Sequence, residues 1–547
     1  MLGPLLVRGG FVLVGDMVFV PDQPWKQAWT GGDEGVPRAV PSDAWVALVD
    51  NVVPGEWLQK CLLLVIVLGA ALGMAQLLRD LPFGGRAAGA VLYVWNPYVY
   101  ERLAIGHWAL LCGYAALPWA VSSVLRLRHE GIGRPGRAFA GLALALACAA
   151  WSSPTGGLVV LVSVLVLSVG RHRLFGVVVL LGAWVNLPWL VPALVNHADA
   201  LEADPFGVVA FGARADTPFG VLGSLATFGG IWKTSIVPDD RQHAWLAALL
   251  VLVVIAGLVG LGRLRSVSSV PLPHAVALAV GSLVAAALPA SDLTRPMVEW
   301  LVVHAPGGGL ARDSQKLLMP WVLVVSLGFG LAVSQLATLE RQVGRHARVW
   351  MVLPVVLPLV ALPTMALGLG GFLKADPYPS GWEALRAELE TAGVAGERVV
   401  VLPPSTYRRF AWTPRSVLDP VPRYFPGHMV TDDSLQVRGG RVQGESSLAR
   451  EVRLAEDPDV LAEVLSTARI SWVVVHDDPE PVLLPTGARE VVRGDGLAWY
   501  RTTSPLQRLP AWPGRAQLFA ALELAVLAGT AACLVIALAR GRVRRMS

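Results

Sequence analysis

The chain has 547 residues, 54% of them hydrophobic and 16% charged, with a mean hydropathy of +0.55 and a formal net charge of +5. A soluble protein of this length needs roughly twice that charged fraction outside its core, so the composition excludes a soluble globular fold. The basic balance does not point to nucleic acid either, because no basic stripe is interleaved with aromatics.

A bilayer core takes roughly 17–25 apolar residues per helix. Residues 1–14 are apolar but interrupted by Arg8, and they carry no signal-peptide cleavage pattern. They are too few to span: either the first helix is short and packed against its neighbours or they are the end of a longer first helix, the second reading being favoured. Spans are then predicted at 58–78, 87–105, 108–125, 138–152, 155–170, 174–195, 244–262, 271–290, 317–337, 349–371 and 516–538. The two around Trp151 are short and share the turn 152–157, which reads as a tight helical hairpin. With the N-terminal segment the count is twelve, and both termini are cytoplasmic. Every arginine cluster then falls inside: Arg79/Arg86, Arg126/Arg128/Arg134/Arg137, Arg171/Arg173, Arg263/Arg265, Arg341/Arg345/Arg348 and Arg540/Arg542/Arg544/Arg545. That alternation is the positive-inside pattern of a multi-pass protein of the plasma (inner) membrane. The four cysteines, Cys61, Cys112, Cys148 and Cys533, lie in apolar segments without metal-ligand spacing and read as small core residues.

Four regions face outward: 15–57, 196–243, 291–316 and 372–512. The last is long enough to be a domain. Trp382–Thr391 and Val460–Ala468 have helical amphipathic spacing. Val399–Leu402 and Trp472–Val475 suit buried strands, and residues 491–500 read as a hairpin around Gly494-Asp495-Gly496. The expected fold is an α-helical polytopic membrane protein of about twelve transmembrane helices with a small extracytoplasmic α/β domain. The expected division is a transmembrane module at 1–371, the outer domain at 372–512, and a last helix with a basic cytoplasmic tail at 513–547.

Asp16 stands where the chain should leave the membrane. A carboxylate at that boundary suits a general base or a metal ligand for a lipid-linked substrate; the alternative is an acid that caps a turn. Asp22 is the second candidate, while Asp33, Glu34 and Asp43 read as solvated loop charges. Asn96-Pro97 breaks a helix, and Glu101, Arg102 and His107 follow at a depth where charge is costly. They either pair with one another and hold the loop, or bind a phosphate or donate a proton. Arg312-Asp313-Ser314-Gln315-Lys316 follows the run Gly307-Gly308-Gly309. There Arg312 and Lys316 suit a phosphate clamp, Arg as a fork and Lys as a point charge, against the alternative of snorkelling side chains. Arg214-Ala215-Asp216 repeats that logic. Asp432-Asp433 and His476-Asp477-Asp478 read as turn formers before metal pairs. No P-loop, dinucleotide fingerprint or HExxH motif occurs, so no nucleotide cofactor is expected; a divalent metal stays open.

Gly15-Asp16 with Asp22, then Asn96-Pro97-Tyr98-Val99-Tyr100-Glu101-Arg102 leading to Gly106-His107-Trp108-Ala109-Leu110-Leu111, resembles the membrane region of large GT-C-type glycosyltransferases. Among these it is most similar to the arabinofuranosyltransferases of actinobacterial cell-wall synthesis. Thr155-Gly156-Gly157, Phe228–Trp232 and Arg312-Asp313-Ser314-Gln315-Lys316 continue the similarity in order, over roughly residues 10–340. The resemblance implies a GT-C-like fold, a polyprenyl-phosphate sugar donor and inverting transfer on the outer face to a cell-envelope glycan or glycolipid. It also implies a first-loop acid as base, which is Asp16 here, with Asp22 second. Arg312, Lys316, His107 and Arg102 would hold the donor phosphate; Glu101, Arg214, Asp216 and Asp313 would support them. The very large carbohydrate-binding extension of those enzymes lies outside the resemblance, so it carries no particular acceptor over. Two other readings stand beside it: a transporter or flippase of lipid-linked sugar, and a non-catalytic envelope assembly factor. The internal pseudo-repeats usual in transporters are absent from the sequence.

Overall fold

The computed structural model describes residues 1–32, 39–131, 136–197, 201–264, 270–305, 307–343, 347–477, 481–504 and 514–546. Asp33, Glu34, Arg134, Arg265, Arg345 and Asp478, singled out above, lie outside the described residues.

Among the described residues, seven helices are long and apolar enough to cross a membrane: Gly55–Leu77, Trp108–Glu130, His172–Asn196, Ala244–Leu261, Leu272–Ala290, Ser314–Leu336 and Gly514–Ala537. The pair Val352–Ala361 and Pro363–Leu369, bent by 83°, makes an eighth if it is one broken span. The chain is thus a multi-pass membrane protein. The hairpin expected around Trp151 is present as two shorter apolar helices, Arg137–Ser152 and Pro154–Ser168. Its turn is built by Ser153, whose hydroxyl caps the second helix by accepting from the Gly156 N–H, with Pro154 at the first helical position.

Five of the twelve expected spans are not continuous membrane-length helices: the two short helices around Trp151, the bent pair within 349–371, and residues 1–14 and 87–105. Residues 1–14 form a five-residue helix, Gly3–Val7, and then a short strand β1, Phe11–Val12. Gln59 clamps that strand, bonding both the N–H and the carbonyl of Val12 at 2.8 Å. Residues 87–105 split into Phe83–Val94 and Pro97–Ala104. Asn96 explains the split. Its side-chain amide donates to the orphan carbonyls of Leu92 and Tyr93, at 2.8 and 2.9 Å, and its oxygen caps Val99 N. The backbone groups freed at the break are satisfied locally, which makes a broken helix tolerable at this depth.

The helices alternate between two ends of the molecule. Arg128 donates to the carbonyls of Leu167 and Val169, and His274 reaches Val169 as well, so three inter-helix turns share one end. Gly85 packs on Ser334 at that end. At the other end Trp45 bonds Trp151, Asn196 bonds Gly31, Trp95 bonds Leu362 and Ser314 bonds Ala286. Glycines set the closest crossings. At Gly113 against Gly156 and at Gly260 against Gly328 an added Cβ would strike the facing backbone.

Residues 372–504 build the small α/β unit, and the β1 segment is stitched into it. Strand β1 pairs with β2, Ala375–Asp376. The remaining strands are β3 (Arg398–Leu402), β4 (Tyr407–Phe410), β5 (Thr413–Leu418), β6 (His428–Val430), β7 (Leu435–Val437), β8 (Gly440–Val442), β9 (Trp472–His476), β10 (Arg489–Gly494) and β11 (Leu497–Arg501). A five-stranded sheet runs β10-β11-β9-β3-β6, parallel across β9-β3-β6 and antiparallel beyond. The predicted helices appear as Gly381–Thr391 and Pro458–Thr467, and the predicted hairpin is β10–β11 around Asp495-Gly496. Strand β9 is buried along its whole length, which its run of Trp and Val anticipates. The loop after β3 leaves the carboxyl end of the parallel strands, the usual side for ligands in such sheets. It faces the membrane helices' Asp16 end.

Candidate functional site

Asp16 is positioned by two glycines. Gly15 and Gly106 both have positive φ, +51° and +89°. A Cβ on Gly15 would meet the Ile105 carbonyl, and one on Gly106 would meet Val14 O and the Asp16 N–H. The first-loop segment therefore lies directly on the turn between Pro97–Ala104 and Trp108–Glu130, and Asp16 N–H donates to Ile105 O at 3.0 Å. On its other side Gly15 exchanges backbone bonds with β5, to Ser416 O at 3.0 Å and from Leu418 N at 2.8 Å.

The Asp16 carboxylate has two polar neighbours. His107 Nε2 lies 3.0 Å from Oδ2, and the Tyr407 hydroxyl of β4 donates to Oδ1. It is still 40% exposed, so it faces open space. Burial works to raise its pKa, but His107, Tyr407 and the Lys316 charge outweigh that and hold it at about 2. Asp16 is therefore ionised throughout the physiological range.

Behind it runs a buried chain of charge. Arg102, with no exposed surface, grips Asp313 with both terminal nitrogens, at 2.6 and 2.9 Å. Its Nη1 also meets His107 Nδ1 at 2.9 Å. A guanidinium only donates, so Nδ1 must accept and the imidazole proton must sit on Nε2, facing Asp16. Burial and the nearby Lys316 lower the His107 pKa, in keeping with a neutral ring. Gln315 joins Arg102 to Glu101, its amide donating to Glu101 Oε2 at 3.0 Å. The buried Glu101 carboxyl also interacts with Asp216. Asp216 in turn is paired with buried Arg241 at 2.7 Å.

A cavity of about 460 Å³ opens beside Asp16, between the 210–235 segment and the α/β unit. Gly15, Ile105 and Tyr407 line it near Asp16; Trp232, Lys233, Arg214, Arg438 and Arg441 are among its other walls. Burial lowers the Lys233 pKa while Asp16 raises it, so the two charges feel each other.

The structure thus brings Asp16, His107, Arg102, Asp313, Lys316, Glu101 and Asp216 into one connected region. Lys316 stands 3.6 Å from Asp313 and is a quarter exposed. Several sequence expectations need correction. Arg102 is not available to a ligand, because Asp313, Gln315 and His107 occupy both of its terminal nitrogens and it is fully buried. Arg312 instead reaches Glu445 of the α/β unit at 3.3 Å, tying domain to membrane helices. Asp22 pairs with Arg386 at 2.9 Å and is 62% exposed, so it anchors the loop to the helix Gly381–Thr391. Asp43 is not solvated; it is buried against Arg423 at 2.9 Å. Asp216 is separated from Arg214 and belongs to Arg241. Asp432 binds Arg453 and Ser434, while Asp433 accepts from Glu445 N. His476 binds Asp419, and Asp477 binds Arg493. Among the described residues no group of three His, Cys, Asp or Glu side chains is placed to hold a metal.

Sequence reasoning missed Lys233, Tyr407, Arg438 and Arg441. Lys233 directly follows the Phe228–Trp232 stretch and is a lysine on the outer side in an arginine-rich chain, which is a usable signal. The other three come from the α/β unit, hundreds of residues from Asp16, and carry none.

The fold has a match among solved structures. The chain superposes on the cryo-EM structure of arabinofuranosyltransferase AftD from mycobacteria with a TM-score of 0.57, over 92% of its own length, at 15% identity. A variant of the same mycobacterial enzyme gives 0.57 over 90%, again at 15% identity. The chain spans 39% of the length of the first and 40% of the second. No protein-family model matches the sequence, and no curated protein matches it significantly. The likeness is one of fold, and it extends past the membrane helices into the α/β unit.

Proposed function

We propose that this protein is a GT-C-type membrane glycosyltransferase. It moves a sugar, arabinofuranose on the strength of the fold likeness, from a polyprenyl-phosphate donor to a cell-envelope glycan or glycolipid on the outer face. One observation carries the reading: an ionised, half-exposed carboxylate, Asp16, beside a cavity roofed by the α/β unit and flanked by Lys316 and Lys233.

In this reading Asp16 accepts the proton of the acceptor hydroxyl as that oxygen attacks the anomeric carbon. The bond from that carbon to the phosphate oxygen breaks, and polyprenyl phosphate leaves with charge that Lys316 and Lys233 stabilise. A carboxylate held at about 2 is a weak base. Donor binding works against this, because the phosphate brings a negative charge near Asp16 and offsets Lys316, although the larger lowering by His107 and Tyr407 remains. His107 and Tyr407 aim the carboxylate and, by hydrogen-bonding its charged form, favour its ionised state.

Asp16→Asn tests the proposal. Turnover with a polyprenyl-phosphate sugar should fall by about 10²–10⁴-fold or more, while donor binding stays near wild type. Turnover within a few-fold of wild type would remove Asp16 from the mechanism.

A further inference from the structure

The cavity carries more positive charge than a donor phosphate needs. Its lining includes Arg214, Lys233, Arg438 and Arg441, and no Asp or Glu side chain. Of these, Arg441 donates through Nη1 to Ser434 Oγ at 3.0 Å and lies 3.7 Å from Asp432, a carboxylate also bound by Arg453 at 3.1 Å. A polyprenyl-phosphate sugar is a phosphodiester with a single negative charge. Its tail stays in the bilayer, so its phosphate belongs near Lys316, at the start of the span Ser314–Leu336. Arg438 and Arg441 sit instead on the β7–β8 hairpin of the α/β unit, both exposed. Around them the wall is saccharide-like in its chemistry. Exposed Gln436 offers hydrogen bonds and Trp232 a ring face, while the hydroxyls of Ser405, Thr406 and Ser434 donate to neighbouring groups of the α/β unit. A neutral glycan would offer the two arginines only hydroxyl acceptors and no charge to pair with. It would also need no counter-charge near the Asp16 carboxylate, whereas an anionic acceptor would be repelled by Asp16 without them.

We propose that this outer wall is an acceptor subsite for a saccharide bearing a negatively charged substituent, a phosphate or a carboxylate, held by Arg438 and Arg441. The inference rests on the glycosyltransferase reading for the word acceptor, but the anion site itself does not. Arginine's fork suits either group, and a charged hydrogen bond is worth enough to set a preference of about tenfold over a neutral sugar.

The test uses the full chain in nanodiscs of phosphatidylcholine, so that no anionic lipid competes. Glucose 6-phosphate, glucuronate and glucose are titrated separately, and polyprenyl phosphate in a parallel series. Wild type should bind at least one anionic sugar about tenfold more tightly than glucose, and that sugar names the substituent. Arg438→Gln with Arg441→Gln, both on the surface and so harmless to folding, should abolish the preference and leave polyprenyl-phosphate affinity within about twofold. Lys316→Gln should do the reverse. Three results overturn the proposal: no anionic preference in wild type, a preference that survives the double substitution, or a double variant that loses polyprenyl phosphate equally, which places the arginines in the donor site. If only Lys316→Gln is without effect on polyprenyl phosphate, the donor reading fails while the anion site stands.

Discussion

Arg102 decides the state of His107. Because the guanidinium can only donate, it excludes a proton from Nδ1, and the ring stays neutral with Nε2–H on Asp16. This has a stability consequence whose sign follows from the lowered His107 pKa. The folded chain binds this proton less readily than the unfolded one, whose ordinary value is 6.5. The contribution is therefore complete above about pH 6.5 and is lost as pH falls from there toward the folded value. Asp16 behaves in a separate window: with its pKa held at about 2 against an ordinary 3.8, its contribution is lost only on stronger acidification. His107→Gln keeps a donor toward Asp16 but cannot titrate. Its thermal unfolding should show a smaller loss between about pH 6.5 and 5 than wild type, and its turnover should fall by about 10- to 100-fold, less than for His107→Ala. Equal pH slopes in the two proteins would refute the tautomer assignment. The acid limb of kcat should lie at higher pH than that of kcat/KM, because the negative charge of a bound donor phosphate raises the Asp16 pKa only in the complex. Coincident limbs in a pH–rate series would refute that.

At the scale of elements, the site depends on backbone lying against backbone. The Gly15–Asp16 segment is held between the turn at Ile105-Gly106 and strand β5, so Asp16 belongs to neither the membrane helices nor the α/β unit alone. Gly106→Ala leaves every polar side chain of the site in place, yet its Cβ must push the loop off Val14 O and Asp16 N. It should cut turnover by about 10²-fold, as misplacement by an ångström can, while the protein still inserts and purifies. Wild-type turnover would show that the loop can shift freely. Tyr407→Phe probes the other side. It removes one donor to Asp16, so donor binding should hold and turnover should fall by less than in Gly106→Ala. These elements also explain what the sequence could and could not reveal. Asp16, His107 and the 312–316 run stood out because charge at an apolar boundary is costly. The α/β unit's strands and helices were readable from local periodicity at 382–391, 399–402 and 472–475. The pairing partners were not readable. Arg102 meets Asp313, Arg312 meets Glu445 and Asp16 meets Tyr407 across 211, 133 and 391 residues. Nothing local distinguishes an arginine that will be buried on a carboxylate from one that will clamp a phosphate. The split at Asn96 was signalled by Pro97, but that Asn96 would cap both half-helices depends on where the first helix ends.

For the whole molecule, charge and site lie at opposite ends. Arg128, with Arg171 beside it, marks one end, and Arg79 lies near Arg126 there. Asp16, the cavity and the α/β unit mark the other. The positive-inside rule predicts a cytoplasmic arginine end and an outward-facing cavity, the side on which the proposed lipid-linked donor would be used after its head group has crossed the bilayer. The N-terminal residues bear on the same point. Met1 O accepts from Gly368 N at 2.9 Å and β1 pairs with β2, so residues 1–14 lie at the cavity end rather than running toward the arginine end. Single cysteines test the arrangement in a background with Cys61, Cys112, Cys148 and Cys533 replaced. Glu456→Cys on the α/β unit and Arg173→Cys at the opposite end are both exposed positions. An impermeant maleimide added to intact cells should label Glu456→Cys and leave Arg173→Cys untouched until the membrane is permeabilised. Labelling of Arg173→Cys from outside, or protection of Glu456→Cys, would invert the orientation and put the cavity in the cytoplasm. The donor would then have to be used on the face where it is made, and transfer to an outer envelope glycan would be excluded.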